Sequence, residues 1–304
     1  MNGHQLFDRG LMRRRRARAA GRGAGHALIG TVARDIAGRV DEVNRRFARM
    51  LEVSAVPGAV AGPLLAAHKV DEAVTALAFA PAGPAPAPSV VIDEEAPAFA
   101  PGSFDLIAGA LTLHGLNDLP GALGQFLGLL KPDGLFVAAL FGGATLSELR
   151  QAFAAAEAEI AGGVSPRVMP FAELGVAGRL MQRVGFALPV ADRDRLTVRY
   201  DSVLALMGDI RAMGEANALA ERTRKPMSRA LLEAMMREYA ARFADPDGRV
   251  RATFEIITVT GWRPHESQQR PLRPGSARMR LADALGTREF PAGDPAGSRP
   301  PRRK

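Results

Sequence analysis

The sequence predicts an α/β fold: a doubly wound, mostly parallel seven-stranded sheet with a helical insertion before the last strands. Two observations carry this. Short apolar runs alternate with amphipathic stretches along most of the chain, and Gly, Pro, Asp and Ser clusters punctuate the junctions. The length fits as well, because 304 residues with 47% hydrophobic content can bury one large core or a core plus a small appendage.

From 27 to 47, Leu28, Ile29, Val32, Ile36, Val40 and Val43 recur at three- and four-residue steps with Arg and Asp between them, as an amphipathic helix requires. A short apolar run over 47–53, ending at Glu52, reads as the first buried strand. The turn Ser54-Ala55-Val56-Pro57-Gly58 follows, and then an Ala/Leu-rich helix to His68. Residues 74–79 read as the second strand. The Pro/Ala stretch 81–88 reads as an exposed polyproline-like link.

A third strand is expected over 90–92, stopped by Asp93-Glu94-Glu95, and a fourth over 103–110. The next helix opens near Leu119, with Asp118 available as its cap and Pro120 in the first turn, where a missing N–H costs nothing. Lys131-Pro132-Asp133-Gly134 closes it and turns into 135–141, the most apolar strand. Helices follow over 145–160 and 173–184, the second packing Leu174, Val176, Leu180, Met181 and Val184. Strands at 196–200 and 254–262 bracket helices at 202–213 and 228–243 and give the sheet an antiparallel finish. Strands alternating with helices at this pace place a ligand crevice at the strand C-termini. The expected division is a basic segment and helix over 1–46, the α/β domain over 47–290 with an insertion at about 145–253, and a disordered tail from 291.

Composition excludes several function classes. There is no cysteine, hence no disulfide framework, thiolate nucleophile or cysteine-ligated metal, and five scattered His give no metal cluster. No run of about 18 apolar residues exists, so no transmembrane segment is expected. The net charge of +8 sits at the two ends, in Arg13 to Arg16 with Arg18 and Arg22, and beyond Arg288. Such ends read as solvated, so nucleic acid is not the expected partner, while a peripheral membrane contact stays compatible. The arginines near the start are not followed by an apolar region but by Gly21, Arg22, Gly23 and Gly25. An export signal is therefore rejected, and Asp8 and the scarcity of Ser weigh against a transit peptide. The expected localisation is the bacterial cytoplasm, up to the inner face of the membrane.

The stretches FDRGLMRRRRARA, DEEAPAFAPGSFDLIAGALTLHGLNDLPGAL, LLKPDGLFVAALFGGATLSELRQAF, GGVSPRVMPF, IRAMGEANA and GWRPHESQQRPLRPGSA carry a resemblance. They resemble the class I S-adenosylmethionine-dependent methyltransferase superfamily, in the branch of bacterial relatives of the mitochondrial complex I assembly factor (arginine hydroxylase). That branch stands close to the malonyl-carrier-protein methyltransferases. The resemblance implies a Rossmann-like methyltransferase fold, S-adenosylmethionine as cofactor, and a protein substrate. The implied partner is a peripheral-arm subunit of NADH–quinone oxidoreductase. It leaves methylation and hydroxylation both open.

The family's first loop runs acid-x-Gly-x-Gly-x-Gly. Here Glu52 and Gly58 match, while Ser54 and Val56 replace the first two glycines, and a β-branched residue is disfavoured wherever φ must be positive. No acid ends the second strand, but Asp93 remains after the third, where the family sets an acid against adenine. Glu94 and Leu111 complete the expected cofactor-binding set. His114 and Asn117 are the catalytic candidates. His114 stands past the fourth strand, where an imidazole can act as general base or orienter. The competing reading has His114 and Asn117 capping the next helix and holding the crevice wall. Phe141-Gly142-Gly143-Ala144-Thr145 reads either as a close approach to ligand or as a turn into a helix capped by Thr145. Trp262, His265 and Glu266 read as sheet-edge packing and partner contact.

Three functions stay open. The chain is an active S-adenosylmethionine-dependent enzyme, a cofactor-deficient assembly or scaffold protein, or a basic binder of nucleic acid or membrane.

Overall fold

Alternation with period two builds both faces of the sheet. Along β5 (Leu130–Phe141), Leu135, Val137, Ala139 and Phe141 enter one core while Phe136, Ala138 and Leu140 enter the other. Strands β1 (Phe47–Ser54), β2 (Val70–Leu77), β3 (Ser89–Val91) and β4 (Phe104–Ala110) precede it. Strands β6 (Ala187–Tyr200) and β7 (Val250–Trp262) follow. In this computed structural model, which describes residues 5–21, 27–81, 88–269, 276 and 279–288, the strand order is β3-β2-β1-β4-β5-β7-β6. Pairings among β1 to β5 are parallel, and β7 runs antiparallel to both β5 and β6.

Helices cover both faces. One core gathers α2 (Ala27–Asp41), α3 (Ala61–Ala66), α5 (Ser147–Ala161), α7 (Val203–Ala212) and α8 (Arg229–Phe243). The other gathers α4 (Leu119–Leu129) and α6 (Leu174–Val184). The Asp118 carboxylate accepts from the Gly121 amide at 2.9 Å, the cap the sequence offered. All of this lies in residues 1–266. Residues 267–304 form a second unit, whose described part holds α9 (Leu281–Leu285).

Several expectations are corrected. Strand β5 begins at Leu130 and takes in Lys131 to Gly134, with Asp133 at φ 61° making the kink. Strand β6 begins at Ala187, well ahead of the start expected at 196. It is an edge strand, so its outer side chains carry no apolar signal. Val176 is exposed, because α6 buries Ala177 and Met181 instead. Trp262 is not at a sheet edge, since it pairs with Leu135 on one side and Ala187 on the other. The basic N-terminus is not a solvated arm, for α1 (Arg9–Ala20) buries Met12, Arg16 and Ala19. The link at 82–87 and the tail from 291 lie outside the described residues. No helix among the described residues is long and apolar enough to cross a membrane.

Candidate functional site

The sheet order reverses its winding between β1 and β4, the place where open α/β sheets bind ligands at the strand C-termini. Glu52, fully buried near the end of β1, organises the first loop. Its carboxylate accepts from the amides of Gly58 and Val60, both at 2.7 Å, and from the Thr75 hydroxyl of β2 at 3.0 Å. The Ser54 hydroxyl accepts from the Val56 amide at 3.2 Å. Gly58 takes φ 77°, the left-handed value that glycine tolerates, whereas Val56 is not among the positive-φ residues. The penalty expected for a β-branched residue at that position is absent.

At the tip of β4, Leu111 is buried with φ 53°, its amide donating to Ala139 at 3.0 Å. A non-glycine residue held there costs on the order of 1 kcal/mol, which the flanking bonds offset. Thr112 ties this tip to β1 through Val53 O at 3.2 Å. Helix α1 lies across these tips. Arg9 reaches Asp93 at 2.7 Å, Glu94 at 2.6 Å and Glu95 at 2.8 Å, and Arg13 reaches Asp93 at 3.0 Å. The three carboxylates read from the sequence as a stop after β3 are thus the seat of α1. No group of three or more His, Asp or Glu able to hold a metal is found among the described residues.

Behind α1 sits a buried network. Glu215, from the segment between α7 and α8, accepts from Arg16 Nε at 3.0 Å and meets His114 Nε2 at 2.8 Å. Arg16 also donates to Thr112 O at 3.2 Å. Burial works to raise the Glu215 carboxyl, but the charges of Arg16 and His114 outweigh it and hold it down at about 2. An ionised carboxylate accepts the Nε2 hydrogen, which leaves Nδ1 of His114 buried with no hydrogen-bond partner. The ring is wedged beside Phe141 and Phe171, with centroids at 4.8 and 5.5 Å.

His114 therefore caps no helix; it lies in a 3-10 turn (Leu113–Gly115) ahead of α4. Asn117 caps none either. It exchanges two hydrogen bonds with the Phe7 backbone, at 2.8 and 3.0 Å, and pins the N-terminal segment to the crevice wall. Thr145 does not cap α5. Its hydroxyl donates to Glu255 O and accepts from Glu255 N, binding the β5 tip to β7. Gly142 and Gly143 serve close packing: a Cβ would fall 2.5 Å from the Glu255 carboxylate at Gly142 and 2.4 Å from that of Glu173 at Gly143.

A cavity of about 780 Å³ opens beside these tips, walled by Gly143, Phe153, Phe171, Glu173 and Glu221. Glu173 and Glu221 have no hydrogen-bond or ion-pair partner among the described residues. Of the cations on its wall, Arg167 pairs with Glu157 at 2.7 Å, and Arg150 donates to the carbonyls of Gly143, Thr145 and Met169. Two free carboxylates beside aromatic rings suit a guanidinium, which takes paired hydrogen bonds at its edge and an aromatic face on its plane. Sequence reasoning missed Arg9, Arg16, Phe171, Glu173 and Glu215. All but Glu173 lie in stretches that carried the resemblance, but nothing local announces partners 101 or 199 positions apart.

Comparison with known proteins agrees with this architecture. The family described as "Methyltransferase domain" matches residues 51–138. "Arginine-hydroxylase NDUFAF5, mitochondrial" from Danio rerio is 35% identical over 92% of this chain and 90% of its own length. The protein of the same name from Homo sapiens is 36% identical over 91% of this chain and 83% of its own. "Malonyl-[acyl-carrier protein] O-methyltransferase" from Laribacter hongkongensis is 34% identical over 79% of this chain and 84% of its own. Among solved structures, the YcgJ protein of Bacillus subtilis shares the fold, with a TM-score of 0.50 at 14% identity over 76% of this chain and 99% of its own.

Proposed function

The chain belongs to the family of the arginine hydroxylase NDUFAF5, and from that premise we propose that its strand-tip crevice holds S-adenosylmethionine and acts on an arginine side chain of a partner protein. The observation that carries the substrate class is the pair of uncommitted carboxylates, Glu173 and Glu221, in a cavity shared with Phe153 and Phe171. As the resemblance implies, the partner is a peripheral-arm subunit of NADH–quinone oxidoreductase.

The crevice residues fit the cofactor at two of its three ends. The loop that Glu52 closes, with Gly58 at φ 77°, offers backbone to the methionine end. Asp93, with its side chain 43% exposed, offers an acceptor for adenine. No carboxylate follows β2, where Ala78, Phe79, Ala80 and Pro81 stand, so the ribose is left to backbone groups. When bound, S-adenosylmethionine supplies a sulfonium with an electrophilic methyl group. The chain's own part is to bind and orient. Glu52, Ser54, Gly58 and Leu111 shape the cofactor wall, while Asp93 and Glu94 anchor both the cofactor side and α1. Asn117 holds the N-terminal segment closed. His114, oriented by Glu215, keeps Nδ1 free of any hydrogen bond beside the aromatic wall, which leaves that atom available for proton transfer.

A second reading, an assembly protein that keeps the fold without the cofactor, is favoured by one observation: Arg9 and Arg13 already occupy Asp93. The third, a basic binder, is weakened at the N-terminus, where Arg9, Arg13 and Arg16 are matched by the chain's own carboxylates.

The test is to incubate the chain with S-adenosylmethionine and recombinant peripheral-arm subunits, then read arginine-containing peptides by mass spectrometry. A gain of CH₂ establishes methyl transfer. A gain of one oxygen, dependent on dioxygen and a two-electron reductant, establishes hydroxylation. An unchanged arginine in complexes that nonetheless form leaves the scaffold reading.

A further inference from the structure

The cavity of about 780 Å³ shares Phe153, Arg167, Val168 and Phe171 with a neighbour of about 550 Å³. The two walls differ in charge balance: two arginines and two glutamates line the first. Five arginines line the second cavity, Arg15, Arg167, Arg211, Arg222 and Arg224, against one acid, Glu215, which is already spent on Arg16 and His114.

The cationic wall is underneutralised. Arg167 is matched by Glu157, and Arg222 meets Asp8 at 3.2 Å. Arg15 has only carbonyls to donate to, those of Ala216 and Asn217 at 2.7 and 2.6 Å. Burial and then the neighbouring charges of Arg222 and Arg18 lower its pKa. Arg211 and Arg224 have no carboxylate partner among the described residues. The floor between these cations is apolar, with Leu146, Leu149, Ile210, Met207 and Met227. An anion on a short apolar stem matches such a surface, since it neutralises the rim while its stem covers the floor.

We propose that this second cavity is a subsite for an acidic side chain of the partner protein, read together with the arginine in the first cavity. The proposal rests on the arginine reading above for the occupant of the first cavity. Each cavity keeps two charged groups uncommitted, Glu173 and Glu221 in one and Arg211 and Arg224 in the other. A single extended segment bearing an arginine and, beyond a few apolar residues, a Glu or Asp satisfies both. Free Glu173 and Glu221 next door argue against an anionic lipid surface, which they would repel.

The test uses the full chain and fluorescence anisotropy with three labelled octapeptides. The parent is Ala-Ala-Arg-Leu-Leu-Glu-Glu-Leu; one variant carries Gln for both Glu, the other Gln for Arg. At low salt the Glu-to-Gln change weakens binding about tenfold on the native chain. That difference disappears in Arg211→Glu/Arg224→Glu, whose exposed positions leave the melting curve unchanged. Equal binding of the Glu and Gln peptides to the native chain, or a preference that survives the double reversal, overturns the proposal. The Arg-to-Gln peptide separates the two readings. Unchanged affinity there sinks the arginine reading, while a persisting Glu preference that the reversal removes still supports the acidic subsite. Sedimentation with phosphatidylglycerol vesicles that the double reversal abolishes, with the peptides bound alike, also overturns the proposal and assigns the face to a membrane.

Discussion

Replacing Glu215 by Gln tests the buried network directly. The substitution keeps the side chain's size and one acceptor but removes the negative charge between Arg16 and His114, both nearly inaccessible. The carboxyl is held at about 2 against an ordinary 4.5, a gap worth roughly 3 kcal/mol of stability. Breaking a buried pair from one side costs about the same, 3–5 kcal/mol, because Arg16 is left with an unmatched charge. Its next carboxylate, that of Glu94, is 3.9 Å away. For a unit of this size the melting temperature should fall by roughly 6–12 °C at pH 7. The folded value is the lower one, so the contribution is complete above about 4.5 and is lost as pH falls through about 2. Melts of both proteins from pH 7 down to pH 3 should therefore converge, with roughly half or less of the difference left at pH 3. A variant that melts within a degree of the native chain at pH 7, or a gap that does not shrink with acid, refutes the reasoning.

Four further outcomes follow from the same contacts. Asn117→Ala removes both bonds to the Phe7 backbone and should speed hydrogen exchange across residues 5–20 by an amount matching about 1–3 kcal/mol, leaving the sheet protected. Gly142→Ala drives a Cβ into the buried Glu255 carboxylate and should cost about 1–3 kcal/mol in urea unfolding. Gly143→Ala meets only the end of the exposed Glu173 side chain, so it should cost within about 0.5 kcal/mol and act instead on arginine-peptide affinity. Arg9→Gln should destabilise by about 1 kcal/mol after allowance for solvent at Asp93. Burial works to raise the Asp93 carboxyl, but the Glu95 amide, Arg9 and Arg13 hold it below its ordinary value of 3.8. Stability gained there is present above that value and lost below it, so the Arg9→Gln difference should narrow in acid melts below about pH 4.

The sheet was legible because each strand repeats one physical signal. Leu135 to Phe141 is apolar on both faces because both faces are covered, and Asp118-Leu119-Pro120 announces a helix start by its own chemistry. The extent of β6 was not legible, since Asp192, Arg193, Asp194 and Arg195 on an edge strand look the same as a solvated loop. The site was legible only where its groups are local. Glu52 and Gly58 stand six positions apart in one motif, and a hydrogen bond joins them. Arg16, His114 and Glu215 come from three distant segments, and charge counting alone placed Arg16 in solvent. Whether an arginine is solvated or seated is decided by carboxylates far along the chain, and composition carries no trace of that.

The central claim is that the crevice over β1, β2 and β4 holds S-adenosylmethionine, and calorimetric titration of the full chain with S-adenosylmethionine and S-adenosylhomocysteine, repeated on Asp93→Ala, tests it most directly. The account predicts micromolar binding of both ligands and about a tenfold loss on Asp93→Ala, the worth of one charge-assisted hydrogen bond. No heat and no thermal shift at millimolar ligand would contradict it and leave a protein that keeps the fold without the cofactor.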